Sequence, residues 1–397
     1  MVFARRTIES IWRRHSVWSQ ICGLALTPFS LLFSLGVRGR NLLYDFRCLP
    51  IARVSLNVVS IGNLTVGGTG KTPLTLWLAQ NLQQRGYRVG ILTRGYKGTS
   101  AGPTLVGRDG TPLATPVDVG DEAVMLARRF PGIVIAGRDR VAAAVFAHTH
   151  FDLEVAILDD GFQHRRLYRE VDVLLVSAQG SENNWLLPAG PFREPLTSMH
   201  RAHAIVLSKR TGIQDYTPVP LSARNTQHAT CDTQRLAHRM QPAALVFHAD
   251  LVPTALVSSR QDQWHELPLS LLANKRVMTM TGIANPAPFY HTLREHGADV
   301  ARVVEFPDHH SYTHMDWQQL EAESQSFDLL VTTEKDLVKL ERFPQTSDRL
   351  VALRVQTQLE PTEPFLAAVE QRLRGRKMHK TDDGRTISDQ SNHGPAR

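Results

Sequence analysis

An α/β fold built on a mostly parallel sheet is what this 397-residue chain predicts, on three observations. First, apolar runs at Leu56–Ile61, Arg88–Thr93, Ile133–Ala136, Val155–Leu158, Val171–Val176 and Ala204–Leu207 alternate with helix-forming segments. Runs that stay apolar along their length belong to parallel strands covered on both faces. Second, the same rhythm resumes after residue 275, which predicts a smaller C-terminal α/β domain. Third, Leu245–Val257 and Gln263–Leu267 read as β segments around the polar turn Ser258–Asp262, a β hairpin joining the halves.

In order, the chain divides into an N-terminal segment (1–52), a P-loop domain (53–215), the linker with its hairpin (216–274), the C-terminal domain (275–374) and a tail (375–397). The N-terminal segment carries Arg5, Arg6, Arg13, Arg14, Arg38, Arg40 and Arg47 against Glu9 and Asp45, in a chain of formal net charge +7. These arginines flank an apolar stretch, Ile21–Val37, that Pro28 interrupts and that is shorter than the ~20 residues needed to cross a bilayer. No small-residue cleavage site follows it, which argues against a signal peptide. The expectation is a helix lying in the membrane interface, its arginines drawn to lipid phosphates; a helix docked on its own domain is the alternative. No Lys/Arg run interleaved with aromatics appears elsewhere, so nucleic acid is not expected as a partner. The three cysteines, Cys22, Cys48 and Cys231, lie far apart, which fits a reducing compartment and no disulfide framework. In the C-terminal domain, strands at Val277–Thr281, Val300–Phe306 and Leu329–Thr332 alternate with helices over Pro286–His296 and His314–Ser324. The tail is polar, lacks apolar periodicity and is predicted to be disordered.

The strongest local signal is Thr65-Val66-Gly67-Gly68-Thr69-Gly70-Lys71-Thr72, set between the first strand and a helix over Pro73–Arg85 that stops at Gly86. Glycines let a backbone wrap around phosphates, and amides at a helix start point at them. Lys71 would reach the β- and γ-phosphates and the Thr72 hydroxyl would bind Mg²⁺. A second element, Val155-Ala156-Ile157-Leu158-Asp159-Asp160-Gly161, is an apolar strand ending in carboxylates, which is what a metal beside the phosphates requires. Adjacent residues on a strand point to opposite sides, so one of Asp159 and Asp160 faces the metal; the spacing leaves open which. Thr211 stands where a GTP-binding protein keeps a base-reading aspartate after its lysine, Lys209 here, so ATP is favoured over GTP. The pairs His148/His150 and His200/His203 have no partner at ligand spacing and predict no metal site.

These residues bring the resemblance into view. Gly62-Asn63-Leu64 with the loop that follows to Pro73, Thr93-Arg94-Gly95-Tyr96, Gly120-Asp121-Glu122, Asp159-Asp160-Gly161-Phe162-Gln163-His164, Leu187-Pro188-Ala189-Gly190-Pro191-Phe192-Arg193-Glu194-Pro195 and Asp308-His309 together resemble the signatures of the tetraacyldisaccharide 4′-kinase family. The resemblance implies a P-loop NTPase-like fold and transfer of the ATP γ-phosphate, with Mg²⁺, to the 4′-hydroxyl of a tetraacyldisaccharide 1-phosphate. The product is the bisphosphorylated lipid A precursor, made at the cytoplasmic face of the bacterial inner membrane, with no obligate protein partner implied. It implies Asp121, paired with His309, as the group that accepts the hydroxyl proton, with Lys71 and Asp160 also in the catalytic set and Thr72, Asp159 and Gln163 around the metal. On sequence alone Asp121 also reads as the cap of a helix beginning at Glu122. Arg94, Glu122, Arg140, Arg193 and Glu194 are candidates for substrate contacts.

Two other classes compete. A membrane-recruited switch ATPase shares the Gly-Gly-x-Gly-Lys-Thr loop but carries a lysine where Val66 stands, and a GTP-binding metal chaperone would want a Cys or His cluster near that loop. If Asp121 and His309 do pair, the active site lies in a cleft between the two halves.

Overall fold

The computed structural model describes residue 12 and residues 17–67, 70–177, 183–208, 241, 244–260, 263–344 and 348–379. Arg5, Arg6, Arg13, Arg14, Gly68, Thr69, Cys231, much of the 216–274 linker and the tail beyond residue 379 lie outside the described residues.

Among the described elements α1 runs Val17–Asp45 as a 29-residue helix with Pro28 inside it. This corrects the expectation of an apolar segment too short to span a bilayer: by length and composition α1 is able to cross one. The helix continues through Arg38 and Arg40 because arginine is a good helix former, so the apolar stretch does not mark its end. Its buried positions include Ser19, Ser30, Val37 and Asn41, a narrow stripe against the body of the protein, while Leu24, Phe29, Leu31, Leu32 and Leu35 are exposed. Hydrogen bonds anchor the stripe, among them Ser30 Oγ to Leu186 O at 2.7 Å and Asn41 Nδ2 to Glu194 Oε2 at 2.9 Å.

Strand β1 (Asn57–Asn63) leads through the phosphate loop into α2 (Lys71–Gln84). Then follow β2 (Val89–Thr93), an edge hairpin β3 (Thr104–Arg108) and β4 (Thr111–Pro112), the short α3 (Pro116–Val119) and α4 (Asp121–Arg129). Next come β5 (Ile133–Ala136), α5 (Arg140–His150), β6 (Val155–Asp159), β7 (Val171–Ser177) and β8 (Ala204–Ser208). The second half comprises β9 (Leu245–Arg260), β10 (Gln263–Leu267), β11 (Arg276–Thr281), α6 (Ala287–Glu295), β12 (Asp299–Glu305), α7 (His314–Ser324), β13 (Leu329–Thr333), α8 (Glu334–Leu340), β14 (Leu350–Glu360) and α9 (Thr362–His379). The segment expected to be disordered from Gly375 is therefore helical as far as His379, since α9 is already anchored by Phe365, Val369 and Leu373 in the core.

One sheet holds both halves, in the order β12-β11-β13-β14-β9-β8-β7-β1-β6-β2-β5-β3-β4, with β10 pairing β9. β8 runs parallel to the start of β9 (Ala204 opposite Leu245, Ser208 opposite Ala249), whereas β9 and β14 are antiparallel from Ala352/Val257 to Glu360/His248. β13 joins the other end of that ribbon, with Leu330 opposite Leu350. The two half-sheets thus run in opposite directions and attach roughly 20–25 Å apart along the ribbon, at about 3.3 Å per residue. Opposite direction together with displacement turns both carboxyl edges toward the middle. That is where ligands bind in open α/β sheets.

Each half-sheet is covered on both faces. In the first, Val59, Ile61 and Ile157 pack under Leu74, Leu78 and Leu82 of α2, while Val58, Leu92 and Ile135 meet Ala143, Ala144 and Ala147 of α5. In the second, Met278, Met280 and Leu330 face Trp317 and Leu320 of α7, and Val277, Val331 and Leu353 face Phe289 and Leu293 of α6. The last helix returns to the first half: Phe365 of α9 lies 5.8 Å from Trp77 of α2, ring centroid to centroid. The halves therefore share a continuous sheet and a crossing helix, and the boundary at residue 275 is not a break in the packing.

Candidate active site

The phosphate loop follows β1, where Gly62 lets the chain after β6 come close: a Cβ on it would lie 2.5 Å from that of Phe162. Gly67 and Gly70 take φ values of 115° and 88°, open to glycine, and Gly70 sits at the N-terminal cap of α2. The Pro191-Phe192-Arg193 segment runs alongside, with Val66 N donating to Pro191 O at 2.8 Å and Arg193 N to Leu64 O at 2.7 Å. Lys71 Nζ donates to Asn63 Oδ1 (3.1 Å) and to Gly67 O (3.4 Å) and lies 3.7 Å from Asp160 Oδ1. Burial pulls its pKa below the usual lysine range, although Asp160 opposes this.

The adjacent carboxylates have opposite surroundings. Asp159, the last residue of β6, accepts from Thr72 Oγ1 at 3.3 Å and from Thr75 Oγ1 at 3.0 Å. Burial, then the charges of Glu122 and Asp160, push its pKa up to about 6. Asp160 has turned off the strand with φ 54° and accepts both Arg193 donors, at 2.9 and 2.8 Å. Burial would raise it, but Arg193 and Lys71 hold it well below the carboxylate range.

This edge fits magnesium and nucleotide phosphates. The Asp159 carboxylate and Thr72 hydroxyl are hard oxygen donors already side by side, as Mg²⁺ prefers. Gln163 donates through Nε2 to Asn63 O at 2.9 Å, and its Oε1 is buried with no donor, an acceptor open to a metal or its water. Among the described residues no cluster of three or more His, Cys, Asp or Glu could hold a metal by itself, so a cation here needs phosphate oxygens to complete its shell.

The facing wall comes from elements far apart in sequence. Gly120, with φ 86°, caps α4, so Asp121 is the first helical residue rather than the cap; its Oδ1 accepts the Glu122 amide at 2.9 Å. His309, on the loop after β12 with φ 57°, places Nδ1 at 3.0 and 3.1 Å from the two Asp121 oxygens. Lys339 lies 3.6 Å from Asp121 Oδ2, and Lys335 bonds His309 Nε2 at 3.1 Å and Glu122 Oε1 at 2.9 Å. Burial would raise the Asp121 pKa, but the His309 hydrogen bond and the two lysines hold it far below its ordinary value. The charge of Glu122 also acts on Asp159 and Lys71, which places the wall and the phosphate edge in one electrostatic site.

Two of the residues expected as substrate contacts lie in the interior. Arg140 is only 2% exposed and donates to Gly137 O at 2.7 Å and Asp159 O at 3.0 Å, so it braces the end of β6 from behind. Glu194 is fully buried, paired with Arg201 at 2.8 Å and bonded to Asn41, and it fastens α1 to the body of the protein. Arg94 stands exposed at the end of β2, and its charge, after burial and Arg140, helps lower His164 to about 4. Glu122 and Arg193 both lie at the site.

Asn63, Lys335, Lys339 and Lys97, whose Nζ donates to His309 O at 3.3 Å, were not singled out from the sequence as site residues. A signal existed for Lys335: Glu334-Lys335-Asp336 follows a buried parallel strand, and carboxyl ends of such strands carry ligands.

Comparison with known proteins bears on this geometry. The family model described as LpxK, tetraacyldisaccharide-1-P 4′-kinase, matches residues 22–374. The tetraacyldisaccharide 4′-kinase of Syntrophus aciditrophicus is 37% identical over 347 residues, covering 86% of this chain and 91% of that protein. That of Geobacter sulfurreducens is 36% identical over 325 residues, covering 81% and 85%. The crystal structure of LpxK from Aquifex aeolicus, an "apo" form in complex with ATP, superposes with a TM-score of 0.71 at 31% identity, over 89% of this chain and 99% of that one. The chain belongs to the tetraacyldisaccharide 4′-kinase family.

Proposed function

We infer that this chain is an ATP-dependent kinase that phosphorylates the 4′-hydroxyl of a tetraacyldisaccharide 1-phosphate, giving the bisphosphorylated lipid A precursor. Membership of the family supports the substrate and product. The single structural observation that carries the reading is the meeting of Lys71 and Asp159 on one edge with the Asp121–His309 pair on the other, linked by Glu122. Thr72, Asp159 and Gln163 would hold Mg²⁺, which neutralises charge on the phosphates. Lys71 binds the transferring phosphoryl group, while the loop from Thr65 to Gly70 wraps the phosphates.

In the transfer, the 4′-oxygen forms a bond to the γ-phosphorus and its proton passes to the Asp121 carboxylate. The bond from the γ-phosphorus to the β,γ-bridging oxygen breaks, and ADP departs with that electron pair. A strongly depressed carboxylate is a weak base, which suffices because a loose phosphoryl-transfer transition state needs little nucleophile deprotonation until late. His309 orients Asp121, Asp160 holds Lys71 and Arg193 in place, and Arg94, Glu122 and Arg193 contact the anionic acceptor. The P-loop half supplies the phosphate machinery, the C-terminal α/β unit supplies His309, and the β9–β14 ribbon joins them. The exposed apolar face of α1 lies in the membrane at the cytoplasmic side of the bacterial inner membrane, where the lipid acceptor resides.

Transfer of labelled γ-phosphate from ATP to a tetraacyldisaccharide 1-phosphate in mixed micelles tests the reading. A labelled lipid that requires Lys71 and Asp121 supports it; ATP hydrolysis without lipid product, stimulated by membrane, would favour the switch-ATPase alternative.

A further inference from the structure

We propose that Lys335 is a positioning residue for phosphoryl transfer, fixing the His309 ring with its proton on Nδ1, directed at Asp121. The proposal rests on the reading of Asp121 and His309 above.

An ammonium group carries three donors and no acceptor. Lys335 Nζ has three acceptors around it: Glu122 Oε1 at 2.9 Å, His309 Nε2 at 3.1 Å and Asp308 Oδ1 at 3.6 Å. Burial would lower its pKa, but Glu122, Asp121 and Asp308 outweigh that and raise it, so the group stays charged at neutral pH. A donor at Nε2 forces that nitrogen to accept, and the ring proton must then reside on Nδ1, 3.0 Å from Asp121 Oδ1.

Without Lys335 the ring has a different preference. Asp308 Oδ1 lies 4.0 Å from His309 Nε2 and would attract the proton there. The bare Nδ1 lone pair would then face the Asp121 carboxylate, and the bond that orients it would be lost. Removing the ammonium also removes one of the charges that depress Asp121; the groups facing that carboxylate are His309, Lys335 and Lys339, with Glu122 and Tyr312 nearby.

Steady-state kinetics of the full chain in mixed micelles test this. Lys335→Met is expected to lower kcat by about tenfold to a hundredfold, the range for losing support of an acid–base group, with KM for ATP and lipid within about threefold. The acid limb of its pH–kcat profile should move upward, and Lys335→Arg, which keeps charge and donors, should recover part of both. In a His309→Ala background, Lys335→Met should cost less than about twofold, because a residue acting through His309 has nothing left to act on. Equal losses in both backgrounds would overturn the proposal, as would a raised lipid KM with unchanged kcat, which would make Lys335 a substrate contact. If Lys335→Met fails to fold, Lys335→Gln carries the same comparison. Wild-type rates in both Asp121→Asn and His309→Ala would sink the underlying base reading; losses there beside a normal Lys335→Met would sink only the role of Lys335.

Discussion

The phosphate edge and the wall facing it differ in how far the chain must travel to build them. At the phosphate edge the loop from Thr65 to Thr72 is one continuous segment, and Asn63, Asp159, Asp160, Gln163 and Arg193 join it from elsewhere in the same half. The wall gathers Asp121 from α4, His309 from the loop after β12, and Lys335 and Lys339 from α8. Charges also zip α4 to α8 and its C-terminal cap, where Arg129 meets Glu334 at 3.0 Å and Arg128 meets Glu341 at 3.1 Å. Backbone geometry thus supplies the phosphate grip, whereas side-chain charge across two halves assembles the carboxylate proposed as the proton acceptor. The first should survive loss of the second.

The largest expected effect tests the grip. Lys71→Ala removes a charge from the transferring group and should lower kcat on the order of 10³–10⁵-fold in the labelled-phosphate assay. Next, Asp121→Ala should lower kcat by about 10²–10⁴-fold while ATP affinity, read by nucleotide titration, stays unchanged. A parallel loss of ATP affinity would break the separation of the two walls.

Smaller effects sharpen it. Leu24→Asp and Leu35→Asp on the exposed face of α1 should each weaken vesicle flotation about tenfold or more, from the ~1.5–3 kcal/mol of a buried leucine, without lowering the melting temperature. A drop in melting temperature would mean that this face is covered by protein. Arg129→Met leaves Glu334, 4% exposed, with Arg354 as its remaining partner. Chemical denaturation should show a loss of about 2 kcal/mol, below the ~3–5 of a fully orphaned buried charge.

The mildest effect is in pH. Since Asp159 is raised to about 6, acidification from pH 7 to 5 protonates it, and Mg²⁺-dependent nucleotide affinity should fall toward tenfold per unit below 6. The same shift means that metal-free protein gives up stability as pH rises through about 6, and Mg²⁺ with nucleotide should therefore raise the melting temperature more at pH 7 than at pH 5. Equal metal stabilisation at both values would show that Asp159 is not a ligand.

Much of this was legible in the residues. The apolar run Leu56–Ile61 and the helix expected over Pro73–Arg85 lie within two residues of β1 and α2, because both periodicities are local. The parallel sheet, the phosphate loop and the strand ending at Asp159 follow from the same signals. Other features were not legible. The length of α1 was missed because Arg38 and Arg40 read as a flank, when they continue the helix. Arg140 and Glu194 looked like ligand contacts, yet partners at Asp159 O and Arg201 hold both in the interior.

The sequence by itself determined the class of fold and the phosphate-binding chemistry, since periodicity, glycine placement and a strand-terminal carboxylate act over a few residues. The tertiary structure alone decided how the facing wall is assembled. The β9–β14 ribbon sets two oppositely directed half-sheets edge to edge, and only that arrangement brings His309 and Lys335 within hydrogen-bond reach of Asp121 and Glu122. Contacts of that kind depend on strand direction and register across the whole sheet, quantities that no local pattern of residues encodes.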